Sequence, residues 1–531
     1  MSPQMPYQCM VQCGNLLIAA RGSSIDVFED SSLLSTWKCP SMQAVGKALH
    51  LTEVTTKLAT QNSQSSSVGI TIDSSSPPAK KRKLSASEPT ESKPVSKEGK
   101  KKQNNRSDAV QSGLEAPAVI ALAVTRDHHH VIAVTGEDKN IRVFEIAQED
   151  AVFQLKQLSQ RAMPKRPCAL TVTDDGSTII SADKFGDVYA LPLIVLETSQ
   201  ALDSEICTPE PTVKAFTPAA NELTIHSQRN LKALENQRRQ TNKTAEKSEP
   251  SFEHKLLLGH VSMLTDITLV ELRGRSYIIT ADRDEHIRIS RGMPQTHIIE
   301  GFCLGHSEFV SRICVPAGKP QFLVSGGGDD ELFVWEWESG TLISKTDLKK
   351  HVSAVMQGLD NGVESGRGPE PLKIAASGVY CTKQVLHDSL QDIIVVTCEG
   401  IPALFTFVLT EENHLEYIQT MKLSGNALAV VVDTSISNDQ SDSSKRLLVS
   451  IDTIHTPGST TKERENAGTS LNPLQSYKFK DGRLVQDESF QLGIAGRDDG
   501  EVSGSGASGR LTNLLYSLEN LRKREGEGQE E

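Results

Sequence analysis

Between Leu256 and Trp337 the chain runs twice through the same order of apolar and polar positions. The first pass reads LLLGHVSMLTDITLV and then YIITADRDEHIRIS; the second reads FCLGHSEFVSRICVP and then FLVSGGGDDELFVWEW. Each pass contains a Gly-His pair, Gly259-His260 or Gly305-His306. An apolar strand follows, then a second strand ending on a small polar residue, then a tight turn holding Asp284 or Asp329. Short apolar runs bounded by turn residues predict strands. Only the second pass closes on a tryptophan, Trp335; its counterpart is Ser290.

This order is the sequence pattern of a WD-type blade, four strands in roughly 40–45 residues. A blade leaves sheet surface that only neighbouring blades bury, so a closed ring is expected. Weaker copies supply the rest. Gln8 to Phe28 reads as two strands around a turn, with QCMVQ, LLIAA and SIDVF as its apolar runs. AVIALAV and VIAVTGEDKNIRVFEI, from Ala118, give a blade with Asp138 in its turn and Phe144 in the tryptophan position. Cys168 to Pro192 gives another, with Phe185 where an aspartate is expected. KIAASGVYCT with DIIVVTCEGIPALFTFVL, and YIQTMKLSGNALAVVVD with RLLVSIDTIH, complete a count of about seven. The predicted fold is all-β: a seven-bladed WD40-type propeller, closed if the N-terminal strand completes the last sheet.

Two stretches break the alternation. Residues 55–117 are rich in Ser, Lys, Pro and Gln and nearly devoid of aromatics, and 197–253 are also polar. Both are predicted to be polar insertions, the first disordered, because they hold too little apolar surface to offset ordering entropy. The organisation is therefore N-terminal propeller strands in 1–54, the 55–117 insertion, blades in 118–196, the 197–253 insertion, and blades in 254–490. A Gly/Glu-rich tail fills 491–531. Within the tail, Leu511, Leu514, Leu515, Leu518 and Leu521 share one face at helical spacing. That helix is too short to stand alone and is expected to dock, preferably on the propeller.

Composition narrows the function. The chain has 531 residues, 37% apolar, with net charge -12, which does not favour a surface that binds nucleic acid by itself. The nine cysteines form no CxxC pair, as expected for reduced, buried thiols. No apolar run approaches the roughly 20 residues needed to span a bilayer, and MSPQMPYQCM lacks the features of a signal peptide.

Few residues suggest chemistry. His260 with Asp284 and His306 with Asp329 are expected to tie each blade together by a hydrogen bond, a structural role shared by Trp335. No third group completes a nucleophile-base-orienter set. Three adjacent histidines, His128 to His130, point to alternate faces of a strand and do not suit one metal ion. Gly504, Gly506 and Gly509 spell GxGxxG but follow RDDGEVS, which is not strand-like, so they read as a linker and not as a cofactor loop. Lys80, Lys81, Arg82 and Lys83, flanked by proline, read as a nuclear localisation signal, with a solvated charge run as the alternative, and Lys100, Lys101, Lys102 and Arg106 as a second basic cluster. ADRDEHIR carries Arg283, Glu285, His286 and Arg288 beyond the one aspartate a turn needs, which reads as a partner surface, with a plain solvated turn as the alternative.

KRPCAL (Lys165–Leu170), ADKFGDVYAL (Ala182–Leu191), GHVSMLTDI (Gly259–Ile267), ITADRDEHIRIS (Ile279–Ser290), FCLGHSEFVSRI (Phe302–Ile313) and NLLYSLENLRKR are more specific than generic repeat signals. On these segments the chain resembles the non-catalytic WD-repeat subunit of the eukaryotic tRNA (guanine-N7)-methyltransferase. The resemblance implies a nuclear heterodimer. In it, a partner binds S-adenosylmethionine and methylates a guanine in the tRNA variable loop, and this chain stabilises that partner. tRNA would be met through the complex. Lys184, Arg283, Asp284, Glu285, His286 and Arg288 are then the expected partner contacts, with Arg283 and Arg288 pairing acidic groups. The rival is a generic nuclear WD scaffold for chromatin or ubiquitin-ligase assembly.

Overall fold

The computed structural model describes residues 5–40, 116–149, 152–195, 252–359, 372–386, 389–433, 446–464, 471–480, 482–493 and 505–523. Among these, 28 strands form seven four-stranded antiparallel sheets. In chain order the blades span Cys9–Lys38 (blade 1), Val119–Ala162 (blade 2), Pro167–Gly259 (blade 3), Leu264–Cys303 (blade 4), Val310–Asp347 (blade 5), Ala376–Lys422 (blade 6) and Ala427–Gln486 (blade 7). The predicted seven-bladed propeller is the observed fold.

Each interface between neighbouring blades has its own apolar cluster. Trp335 and Trp337 of blade 5 pack with Ile279, Ile289 and Cys303 of blade 4. Ile132 and Val143 of blade 2 meet Ile179 and Leu191 of blade 3. The ring closes because the seam between first and last blades has such a cluster too: Tyr7, Leu17 and Phe28 against Val431, Leu448 and Leu474. Each buried side chain of this kind contributes about 1.5–3 kcal/mol.

The seam differs from the expected strand exchange. Blade 1 builds four strands from its own residues, and so does blade 7. Leu474–Lys480 and Arg483–Gln486 pair, with Gly482 at φ +74° entering the second strand, and complete the last sheet, so no N-terminal strand is needed. Instead the chain leaving blade 7 lays Gly493 beside the outer strand of blade 1: Gly493 N donates to Ser31 O (2.6 Å) and Leu33 N to Gly493 O (3.3 Å).

Blade 3 has a second surprise. Its outermost strand, Lys255–Gly259, follows the 197–253 insertion and pairs with Asp187–Pro192. The Gly-His segment that opens a sequence repeat therefore ends one blade and leads into the next. A helix, α1 (Lys349–Leu359), was not expected; Asp347 caps it by accepting Lys350 N at 2.8 Å, and Leu348, Val352 and Val355 pack between blades 5 and 6. The C-terminal helix is present as α2 (Ser505–Leu515), followed by a short 3-10 turn, Leu518–Leu521. Gly506 and Gly509 fall within α2. The basic clusters Lys80–Lys83 and Lys100–Arg106, and all but the edges of both insertions, lie outside the described residues.

Candidate partner-binding surface

Four antiparallel strands per blade place the turn between strands two and three, and the loop to the next blade, on the same end of the ring. Every expected partner residue lies on or near these turns. In blade 5 the expected His306–Asp329 bond is observed, within a larger network. His306 Nδ1 is 2.8 Å from Asp329 Oδ2, and His306 Nε2 is 2.7 Å from Ser325 Oγ. Trp335 Nε1 donates to the same Ser325 Oγ at 2.8 Å. A proton on Nδ1 donated to Asp329 leaves Nε2 to accept from the serine hydroxyl, and all the groups are satisfied. Burial pushes the Asp329 carboxyl up, but the bonds from His306 and Ser307 leave it below its ordinary value.

Blade 4 departs from this. His260 does not meet Asp284. Its Nδ1 lies 3.7 Å from Asp282 Oδ2, and its Nε2 lies 2.9 Å from Thr280 Oγ1. Asp282 ends the second strand, at the place where blade 5 has Gly327, so it reaches the histidine first. Its Oδ1 also accepts the turn's Asp284 N–H (2.9 Å) and His286 N–H (3.0 Å). Burial pushes the Asp282 carboxyl up, and His260 and the turn N–H outweigh it, leaving it below the ordinary value. Asp284 is displaced to the surface, 41% exposed.

Arg288 is a second correction. It is buried, donating from Nε to Ser290 Oγ (3.0 Å) and from Nη1 to Gly259 O (2.9 Å), and burial lowers its pKa. It props the blade from within and is not presented to a partner. Arg283, Asp284 and Glu285 are engaged by the chain's own C-terminus. Arg283 Nε donates to Leu521 O at 2.9 Å, and Lys523 Nζ lies 2.9 Å from Glu285 Oε1 and 3.6 Å from Asp284 Oδ1. The bond to Glu285 leads the causes that raise the Lys523 pKa. His286 stays half-exposed.

The most open of the expected partner residues, Lys184, lies on blade 3. Lys184 is exposed, and Phe185 is 54% exposed. Lys165 Nζ sits 3.8 Å from the Phe185 ring centroid, a cation–π contact on the surface. Asp183 Oδ1 shapes this turn by accepting Phe185 N (2.7 Å) and Asp187 N (3.1 Å). Burial, with the nearby Asp187 charge, raises the Asp183 carboxyl despite those bonds. Gly186 (φ +95°) has no room for a side chain, since a Cβ would fall 2.3 Å from His260 O. His260 N donates back to Gly186 O at 2.8 Å, which brings exposed Val261 beside the Phe185 turn. The result is an apolar centre flanked by two lysines. Sequence reasoning included Lys184 but missed Lys165 and Phe185; the signal was the aromatic standing where the repeat calls for an acid.

Among the described residues, no group of three or more His, Cys, Asp or Glu could hold a metal ion, and all eight cysteines are free thiols. No described helix is long and apolar enough to cross a membrane.

Residues 17–477 match the family described as tRNA methyltransferase TRM82 WD40 domain. A protein of Sclerotinia sclerotiorum named tRNA (guanine-N(7)-)-methyltransferase non-catalytic subunit trm82 is 50% identical over 527 residues, 98% of this chain and 99% of the relative. The similarly named protein of Coccidioides immitis is 36% identical, covering 97% of this chain and 96% of its own. That of Phaeosphaeria nodorum is 42% identical over 76% of this chain and 83% of its own.

Proposed function

The chain belongs to the tRNA methyltransferase TRM82 WD40 family, and we propose that it works by presenting the Lys165–Lys184–Phe185 surface to a catalytic partner. Like the relatives, it is a non-catalytic subunit of tRNA (guanine-N7)-methyltransferase and not an enzyme by itself. A non-catalytic subunit implies a second chain that carries out the methyl transfer. In this reading the two form a heterodimer, the partner binds S-adenosylmethionine and supplies the basic contacts to tRNA, and the complex acts in the nucleus.

The observation that carries the surface assignment is the exposed Phe185 ring held under Lys165 beside Lys184. An aromatic anchor ringed by polar groups is the usual energetic centre of an interface, and the lysines select an acidic counter-surface. The acidic net charge suits an indirect role toward tRNA, because phosphate contacts demand clustered cations.

The test is co-expression with the S-adenosylmethionine-dependent subunit from the same organism, with methyl transfer to unmodified tRNA as readout. Activity from the pair and little from either chain alone is expected. Full activity from the catalytic subunit alone, with no complex formed, overturns the reading.

A further inference from the structure

The C-terminal segment crosses the loop face of four consecutive blades. On blade 7, the Tyr516 hydroxyl bonds Asp452 and accepts from Asn426 Nδ2 (3.0 Å), while Thr512 Oγ1 lies 3.3 Å from His455 Nε2. On blade 6, Glu399 accepts three successive backbone N–H groups, from Ser517 (2.6 Å), Leu518 (2.9 Å) and Glu519 (3.1 Å). On blade 5, Arg522 donates to Gly328 O (3.0 Å), pairs with Glu308 (3.2 Å), and bonds Ile374 O in the loop leading to blade 6. Leu521 is buried against Phe309 and Ala375. On blade 4, Lys523 and Leu521 O hold the Arg283–Glu285 turn.

That last turn is constrained. Glu285 has φ +75°, a left-handed conformation uncommon for a residue with a side chain. The turn is held from below by Asp282, which accepts the Asp284 and His286 N–H groups, and from above by Lys523. Asp282 also faces His260, and His260 N is bonded to Gly186 O within the blade 3 turn that carries Phe185. A continuous run of polar contacts therefore joins Lys523 to the partner-facing turn one blade away.

We propose that Ser505–Lys523 is a positioning strap: by clamping the Arg283–His286 turn it keeps the Lys184–Phe185 turn in the shape that the catalytic partner reads. This rests on the partner-surface reading above. A strap that merely fastened blades together would add stability without altering the blade 3 turn. A positioning strap alters both.

The experiment uses the full chain with Arg522→Ala and, separately, Lys523→Glu, which sets a like charge against Asp284 and Glu285. Amide hydrogen exchange is followed at residues 184–187, 283–286 and in the innermost blade strands. Exchange about tenfold faster at both turns, with the strands unchanged, is expected. Affinity for the catalytic subunit should fall about five- to tenfold. Unaltered exchange at 184–187 in both variants overturns the strap's positioning role, as does unaltered affinity. If the unmodified chain fails to bind the catalytic subunit, the partner reading falls, and the exchange result still decides the strap by itself.

Discussion

Arg288 donates to Ser290 Oγ at 3.0 Å inside blade 4, in the region where blade 5 has the indole of Trp335 donating to Ser325 at 2.8 Å. By strand register Arg288 stands where blade 5 has Phe333 and Ser290 where it has Trp335, and the bond between them keeps both buried polar groups paired. Arg288 is thus part of the blade's interior although its neighbours Arg283 and His286 face outward.

Arg288→Ala should therefore cost about 2–3 kcal/mol, since it leaves the Gly259 carbonyl and the Ser290 hydroxyl without their donor. Arg288→Glu should be worse, because it buries a charge without a partner. Chemical denaturation reads this as a lower midpoint at constant slope. A normal midpoint with lost partner binding would return Arg288 to the interface.

Trp335→Ala removes a fully buried side chain from the interface of blades 4 and 5 and should cost about 3–5 kcal/mol. Ser325→Ala keeps the packing but strips His306 and Trp335 of a shared partner; a loss of about 1–3 kcal/mol is expected. Equal midpoints for the serine variant and the unmodified chain would contradict the network.

Stability should fall on the acid side. Burial pushes Asp282, Asp329 and Asp452 up, but the histidine beside each and the hydrogen bonds each accepts hold all three below ordinary values in the folded chain. As pH drops, the unfolded chain therefore takes up these protons first. Their contribution is complete above the unfolded value, about pH 4, and is lost as pH falls through the lower folded values. Asp329→Asn should flatten the acid limb of a stability-versus-pH curve; an unchanged limb would remove Asp329 from the account.

Lys184→Glu and Phe185→Ala should each weaken partner capture about tenfold or more while leaving the melting curve in place, since both side chains are exposed. Binding unchanged in both would move the interface elsewhere on the ring.

Replacing Lys80, Lys81, Arg82 and Lys83 by alanine should shift a fluorescently tagged chain out of the nucleus. Unaltered nuclear signal would assign import to another segment or to the partner.

The blade 5 network was legible because its parts recur at fixed spacing: His306, Asp329 and Trp335 stand where the repeat places them, and local strand register brings them together. The same spacing misled in blade 4. Asp284 aligns with Asp329, yet Asp282 lies on the strand itself and reaches His260, a choice made by the side chain's distance within the fold. The missing tryptophan was visible at Ser290, but the burial of Arg288 beside it was not, because the guanidinium's destination, Gly259 O, lies on the previous blade. The closing strands of blade 7 flank an Asp-Gly pair in the sequence, and because they pair with each other the expected strand exchange at the seam does not occur.

By itself the sequence determined the all-β ring and its seven units, since alternation, turn residues and repeat length are properties of neighbouring positions. It also marked the C-terminal leucines as a helix that needs a surface. Only the tertiary structure decided which surface. Lys523 meets Glu285 across 238 residues, so the acidic turn that reads as a free partner site is already half-occupied, and the open aromatic–lysine surface lies one blade away. Charge and exposure at a turn depend on what the closed ring brings against it, and no local pattern in the chain records that.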